Sequence, residues 1–242
     1  MSSLLLFGLV TLGAFISSLT GLGGGTLILA GLLLVFPPEL AIPLHSFTQL
    51  ASNGLRTGLF FKLVHWRVVA AYGLLMVPAA WFAAKLFNLV NPDWLNVTVG
   101  FFILISVLPL RVKPKGEPSL KTFTILGALS GFLGVFVGAV GPLVLPFFNR
   151  LKIERQGMLS TKSAGQTLLQ ISKIIAFSGA GGVDFIQLKD HVLILILGSL
   201  VGVGISIPVS RKISDAKFDM ILNVLLGLIA VKILYKGITG LL

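Results

Sequence analysis

Two sets of polar and basic residues recur in this chain at one spacing, 117 residues apart. His45, Ser46, Gln49, Asn53 and Arg56 are matched in position by Lys162, Ser163, Gln166, Gln170 and Lys173. At 100° per helical residue, His45, Gln49, Ser52 and Arg56 share an arc roughly 60° wide, flanked by Ser46 and Asn53. Lys162, Gln166 and Lys173 form the equivalent arc, flanked by Ser163 and Gln170. Both sets lie in stretches apolar enough to cross a bilayer, where polar side chains are costly and mark a pathway or a site. The chemistry they offer is binding: amides and hydroxyls donate hydrogen bonds, and basic groups attract negative charge. The competing reading is hydrogen bonding between neighbouring spans. Duplication beside a helix break favours a site.

Each set follows a glycine-rich break, residues 21–25 (GLGGG) in one case and 138–142 (GAVGP) in the other. Gly23, Gly24 and Gly25 free the backbone before a short helix opening at Thr26. Gly141 and Pro142 do the same in the second copy, with proline suited to the first helical turn. A helix start held inside the membrane presents unsatisfied N–H groups and a positive dipole end, which together favour an anion. Interrupted hydrophobic segments at matching places in two halves point to a transporter's binding site. The plainer alternative is that these glycines only allow a kink or close packing.

The sign of charge narrows the passenger. The eight acids are Glu39, Asp93, Glu117, Glu154, Asp184, Asp190, Asp215 and Asp219, and none falls in mid-span. The charges inside spans are Arg56, Lys162 and Lys173, all positive. A cation pathway would want acids there, so the sequence predicts an anion. Arg56 and Lys162 lie close enough to span ends that snorkelling to the interface is the alternative for each. Three histidines without HExxH spacing, and no cysteine, predict no bound metal, no disulfide and no cofactor.

The elements that carry these residues follow from composition and punctuation. A chain that is 55% hydrophobic and 11% charged, with mean hydropathy +1.01, reads as a set of membrane spans. The first apolar stretch lacks a basic start, so a cleavable signal peptide is not expected. The net charge of +11 sits in short loops, which indicates contact with lipid and orientation in the cell membrane rather than nucleic-acid binding. Gly, Pro and charge punctuation predicts helices over 4–19, 26–36, 40–61, 66–87 and 94–110. A polar linker over 111–121 separates them from helices over 122–137, 143–149, 155–177, 191–209 and 218–234.

The short helices that follow the breaks are too short to cross a hydrocarbon core about 30 Å thick at about 1.5 Å per residue. If each break enters the membrane and returns, twelve of the nineteen basic residues share one side, four take the other and three are within spans. If each broken unit crosses once, the split is nine against seven. The positive-inside rule selects the first, with basic loops cytoplasmic. The expected fold is therefore an all-α polytopic membrane protein of two inverted repeats, 1–110 and 122–242, joined by a cytoplasmic linker. Each repeat would be a broken, re-entrant helix pair followed by three transmembrane helices.

The GLGGG motif after the first apolar stretch, the Ser46-containing helix behind it and the degenerate repeat with Gly141 and Pro146 resemble the sulfite exporter TauE/SafE family, over nearly the whole chain. The resemblance implies a permease for sulfite, organosulfonates or related sulfur oxyanions, and eight spans where the charge count gives six and two hairpins. The chain departs from the family pattern at Ala30, where the family has proline, and in its second break, GAVGP rather than GGG. Read together, the residues predict alternating access for a small anionic substrate. A passive anion channel is the alternative, because no carboxylate is placed to bind Na⁺ or carry a proton. An intramembrane enzyme would need a motif such as GxSxG, HExxH or an acid pair; none occurs, and only a Ser/Lys or Ser/His contact between helices stays open. The particular anion, the direction of transport and the oligomeric state are left open by the sequence.

Overall fold

The computed structural model describes residues 3–20, 24–108, 116–209 and 215–242. Gly23, one of the expected site residues, lies outside them. All regular secondary structure among the described residues is helical. The first half contains α1 Ser3–Thr20, α2 Gly24–Leu33, α3 Pro38–Leu59, a 3₁₀ turn Phe61–Leu63, α4 Trp66–Gly73, α5 Met76–Phe87 and α6 Pro92–Val107. The second contains α7 Leu120–Val137, α8 Gly141–Phe148, α9 Arg155–Gly179, α10 Lys189–Val209 and α11 Asp215–Leu241.

These correspond to the ten predicted helices, with the one at 66–87 broken at Leu74 and Leu75. Boundaries moved where the backbone chemistry is local. α2 opens at Gly24 rather than Thr26 because two glycines join its first turn. Pro37 and Pro38 start α3 two residues early, since proline suits the first turn. α11 runs to Leu241 instead of 234; no helix breaker interrupts it, and Gly237 and Gly240 allow its last turns to lie against Asp93 of α6. Asn91 caps α6 by accepting from the Asp93 N–H at 2.8 Å, and Ser119 caps α7 by accepting from Thr122 N–H at 3.2 Å. Gly138 ends α7 at φ 73°, a conformation that a residue with a side chain adopts only under strain.

Among the described residues, four helical stretches are long and apolar enough to cross a membrane: Trp66–Phe87, Leu120–Val137, Lys189–Ser206 and Asn223–Leu241. Shorter apolar helices cover Ser3–Ser18 and Pro92–Val107. α2 and α8, with 10 and 8 residues, reach about 15 Å and about 12 Å at 1.5 Å per residue, roughly half a bilayer core. α3 and α9 have the length to cross but carry the polar stripes, and they are held inside the bundle against each other.

Around that central pair, α1 packs on α10, α4 and α5 pack on α7, and α6 packs on α11. Small residues set how closely these helices approach. A β-carbon on Gly198 would stand 3.2 Å from the Phe7 carbonyl oxygen, and one on Gly202, four residues later, would meet the Thr11 carbonyl. In the same way Gly127 and Gly131 of α7 sit against the carbonyls of Tyr72 and Met76. At one end of the bundle, the Lys152 ammonium lies 3.5 Å from the Glu117 carboxylate, joining the segment before α7 to the loop after α8.

Candidate functional site

A cavity of about 60 Å³ lies where the two short helices begin against the middle of α3 and α9. That is several times what a single water needs. Gly25 and Thr26 enter it from the first turn of α2, and Gly141 and Pro142 from the first turn of α8. α3 contributes Gln49, Asn53 and Arg56 at i, i+4 and i+7, one helical face, and α9 contributes Lys162 and Gln166 at i and i+4. Ser17 of α1 and Ala139 complete the lining. No carboxylate lines the cavity among the described residues, and its charged groups are Arg56 and Lys162.

The polar groups are oriented by specific partners. Asn53 Nδ2 donates to the Gln49 backbone oxygen at 2.9 Å and to its side-chain Oε1 at 3.3 Å. This turns the Gln49 amide so that its Nε2 donor is buried without a partner, an orphan that a ligand oxygen would satisfy. Arg56 donates to Ser18 Oγ at 3.3 Å, which holds the guanidinium towards the end of α1. On the other side, Gln166 Nε2 donates to the Tyr72 hydroxyl at 3.4 Å, and Tyr72 donates onward to Ser130 Oγ at 2.7 Å. Basic groups, amides and two helix starts around one small volume can hold an anion by charge-assisted hydrogen bonds.

Other expected site residues are placed behind the cavity rather than on it. His45 is buried and its Nε2 donates to the Gly25 carbonyl at 2.8 Å. Lys173, 0% exposed, donates from Nζ to the Gly138 carbonyl at 2.9 Å. One such donor therefore reaches the backbone of each break. Ser46 Oγ turns back to the Ile42 carbonyl at 3.5 Å, and Ser163 is buried within α9. Ser52 Oγ and Gln170 Oε1 are buried without partners, and Gly24 opens α2. Sequence reasoning missed Ser17, Ala139, Tyr72 and Ser130. Ser17 and Ala139 were findable because they adjoin or belong to the break motifs. Tyr72 and Ser130 carry no pattern that separates them from ordinary core residues.

Fold and cavity together define a polytopic helical membrane protein with a polar, cationic interior site. The family described as sulfite exporter TauE/SafE matches residues 5–233, and the chain belongs to it. It is thus a member of a membrane transporter family and not of an enzyme family. The chain is also 30% identical over 96 residues to the probable membrane transporter protein YunE of Bacillus subtilis (strain 168). That stretch is 39% of this chain and 34% of the relative, so it spans about a third of YunE's length. No solved structure matches the chain.

Proposed function

We propose that this protein carries a small oxyanion across the cell membrane by alternating access, with sulfite, organosulfonates and related sulfur oxyanions as the first candidates. The observation that carries the reading is the cavity lining: Arg56 and Lys162, the unpartnered Gln49 Nε2 donor, and the starts of α2 and α8. In a low-dielectric interior these groups attract negative charge far more strongly than they would in water. The sulfur oxyanion is taken from the family to which the chain belongs.

Alternating access needs two bodies that rock about a fixed site, and we assign these to inverted halves 1–110 and 122–242. Reciprocal packing supports this. The first helix of one half lies on the fourth of the other, as α1 on α10 and α7 on α4 and α5, while α3 meets α9 and α6 meets α11. A two-fold relation between the halves produces that pattern, and three full crossings in each half would put its axis in the membrane plane. The Lys152–Glu117 pair supports a hairpin of α7 and α8 that enters and returns, because its two members flank that hairpin and meet at one end of the bundle. We assign that end, with the other basic loops, to the cytoplasm.

The test is flux in proteoliposomes with sulfite, an organosulfonate and thiosulfate. Saturable, mutually competing flux with counter-transport is expected. Flux that never saturates and shows no counter-transport would instead make this a passive anion channel, a reading consistent with a lining that holds no carboxylate among the described residues. Folded protein that moves no anion would overturn both.

A further inference from the structure

We propose that Tyr72 is a positioning residue for the anion site, fixing through its hydroxyl the side-chain amide of Gln166. This rests on the transport reading above and extends it to a residue that does not line the cavity. Tyr72 is 0% exposed on α4. Its single hydroxyl proton is used on Ser130 Oγ at 2.7 Å, so its oxygen is left to accept from Gln166 Nε2 at 3.4 Å. The ring has a seat made for it. A β-carbon on Gly165 would stand 2.9 Å from the Tyr72 ring, Gly127 admits its backbone, and Phe148 of α8 meets it edge-on at 5.7 Å.

The two glutamines that line the cavity solve the same problem by different means. On α3, Asn53 latches Gln49 through Oε1 and leaves the Nε2 donor unpartnered. The equivalent position on α9 is Gln170, but the hydrogen bond that orients the Gln166 amide runs to another helix, from its Nε2 to the Tyr72 hydroxyl. Tyr72 of α4 thus does for the α9 amide what Asn53 does for the α3 amide. An amide nitrogen carries two N–H groups; Tyr72 takes one and leaves the second for an oxyanion. Without the hydroxyl, the terminal torsion of Gln166 is broad and two-fold, so the amide can turn its oxygen towards the anion and repel it.

The ordinary alternative is a core tyrosine whose hydroxyl is merely satisfied. Sulfite, an organosulfonate and thiosulfate flux into proteoliposomes separates the two. Tyr72→Phe keeps the ring and removes the bond; the half-saturating concentration should rise about tenfold, with the maximal rate within about twofold of the parent. Gln166→Ala should raise it by a similar factor, and adding Tyr72→Phe to Gln166→Ala should change nothing more, as residues acting through one contact are non-additive. An unchanged half-saturation in Tyr72→Phe, or full additivity with Gln166→Ala, overturns the proposal. Should Tyr72→Phe fail to fold, Ser130→Ala reads the same point: it releases the tyrosine proton to Gln166 Oε1, inverts the amide and should raise half-saturation equally, and no change there overturns the proposal. A parent protein that moves no anion removes the transport reading and this proposal with it. Parent flux beside an unaffected Tyr72→Phe removes this proposal alone.

Discussion

Gly25 and Gln49 occupy adjoining space so tightly that a β-carbon on Gly25 would stand 2.8 Å from Gln49 Oε1 and 3.0 Å from its Cδ. The first turn of α2 and the α3 amide are thus fitted to each other across the cavity wall. Gly25→Ala should push the amide off Asn53, and the amide is the flexible end that yields. Overpacking of this kind costs about 1–3 kcal/mol, while alanine in a helix recovers about 1 kcal/mol over glycine. The expected result is a melting temperature within a few degrees of the parent and an apparent anion affinity about tenfold weaker, measured by flux titration.

The basic residues divide into two kinds. Lys162 lines the cavity, whereas Lys173 donates to the Gly138 carbonyl behind the second break. Lys162→Met should weaken anion half-saturation by tenfold or more, on the order of 1–3 kcal/mol of lost attraction, with little change in folding stability. Lys173→Met leaves a buried carbonyl without its donor and should lower stability by about 1–3 kcal/mol. Denaturation and flux measured on both variants check this. Equal effects on affinity from the two would contradict the division.

Much of this arrangement was legible from the chain. The ten helices were fixed by Gly, Pro and charge punctuation, and α2 and α8 were readable as too short to cross because their apolar runs are short. Gln49, Asn53, Arg56, Lys162 and Gln166 were readable together because a 3.6-residue period places them on facing stripes. The stripe alone does not tell a residue at the cavity from one behind it. His45 and Lys173 share arcs with Gln49 and Gln166, yet they end on backbone carbonyls of the breaks. That difference depends on where α2 and α8 begin in space, which helical periodicity does not encode. Tyr72 was unreadable for the same reason: its partners Ser130 and Gln166 are 58 and 94 residues away.

Glycines in the spans are equally uneven. A β-carbon on Gly127 would overlap the Tyr72 carbonyl group, its carbonyl carbon lying only 2.7 Å away, and backbone cannot give way as a side-chain tip can. One on Gly227 of α11 would meet nothing within 4 Å. Gly127→Ala should therefore destabilise the protein by about 2 kcal/mol or more, through separation of α7 from α4. Gly227→Ala should be neutral or stabilising by up to about 1 kcal/mol, from helix propensity alone. Thermal melts in detergent compare them directly.

The re-entrant reading of α7 and α8 rests on a contact that is energetically weak. The Lys152–Glu117 pair is exposed, so replacing either member should shift stability by less than about 1 kcal/mol. Its value is geometric: two residues 3.5 Å apart at their charged ends lie on one side of a membrane. The absence of native cysteine makes this simple to measure. Glu117→Cys and Lys152→Cys should each react with a membrane-impermeant maleimide in inside-out vesicles and not in intact cells. Leu89→Cys, at an exposed site between α5 and α6, should show the opposite. If each broken helix pair crossed once, positions 117 and 152 would label from opposite sides. That outcome would end the inverted six-crossing arrangement, because α7 and α8 would then complete a crossing instead of returning to the face they left.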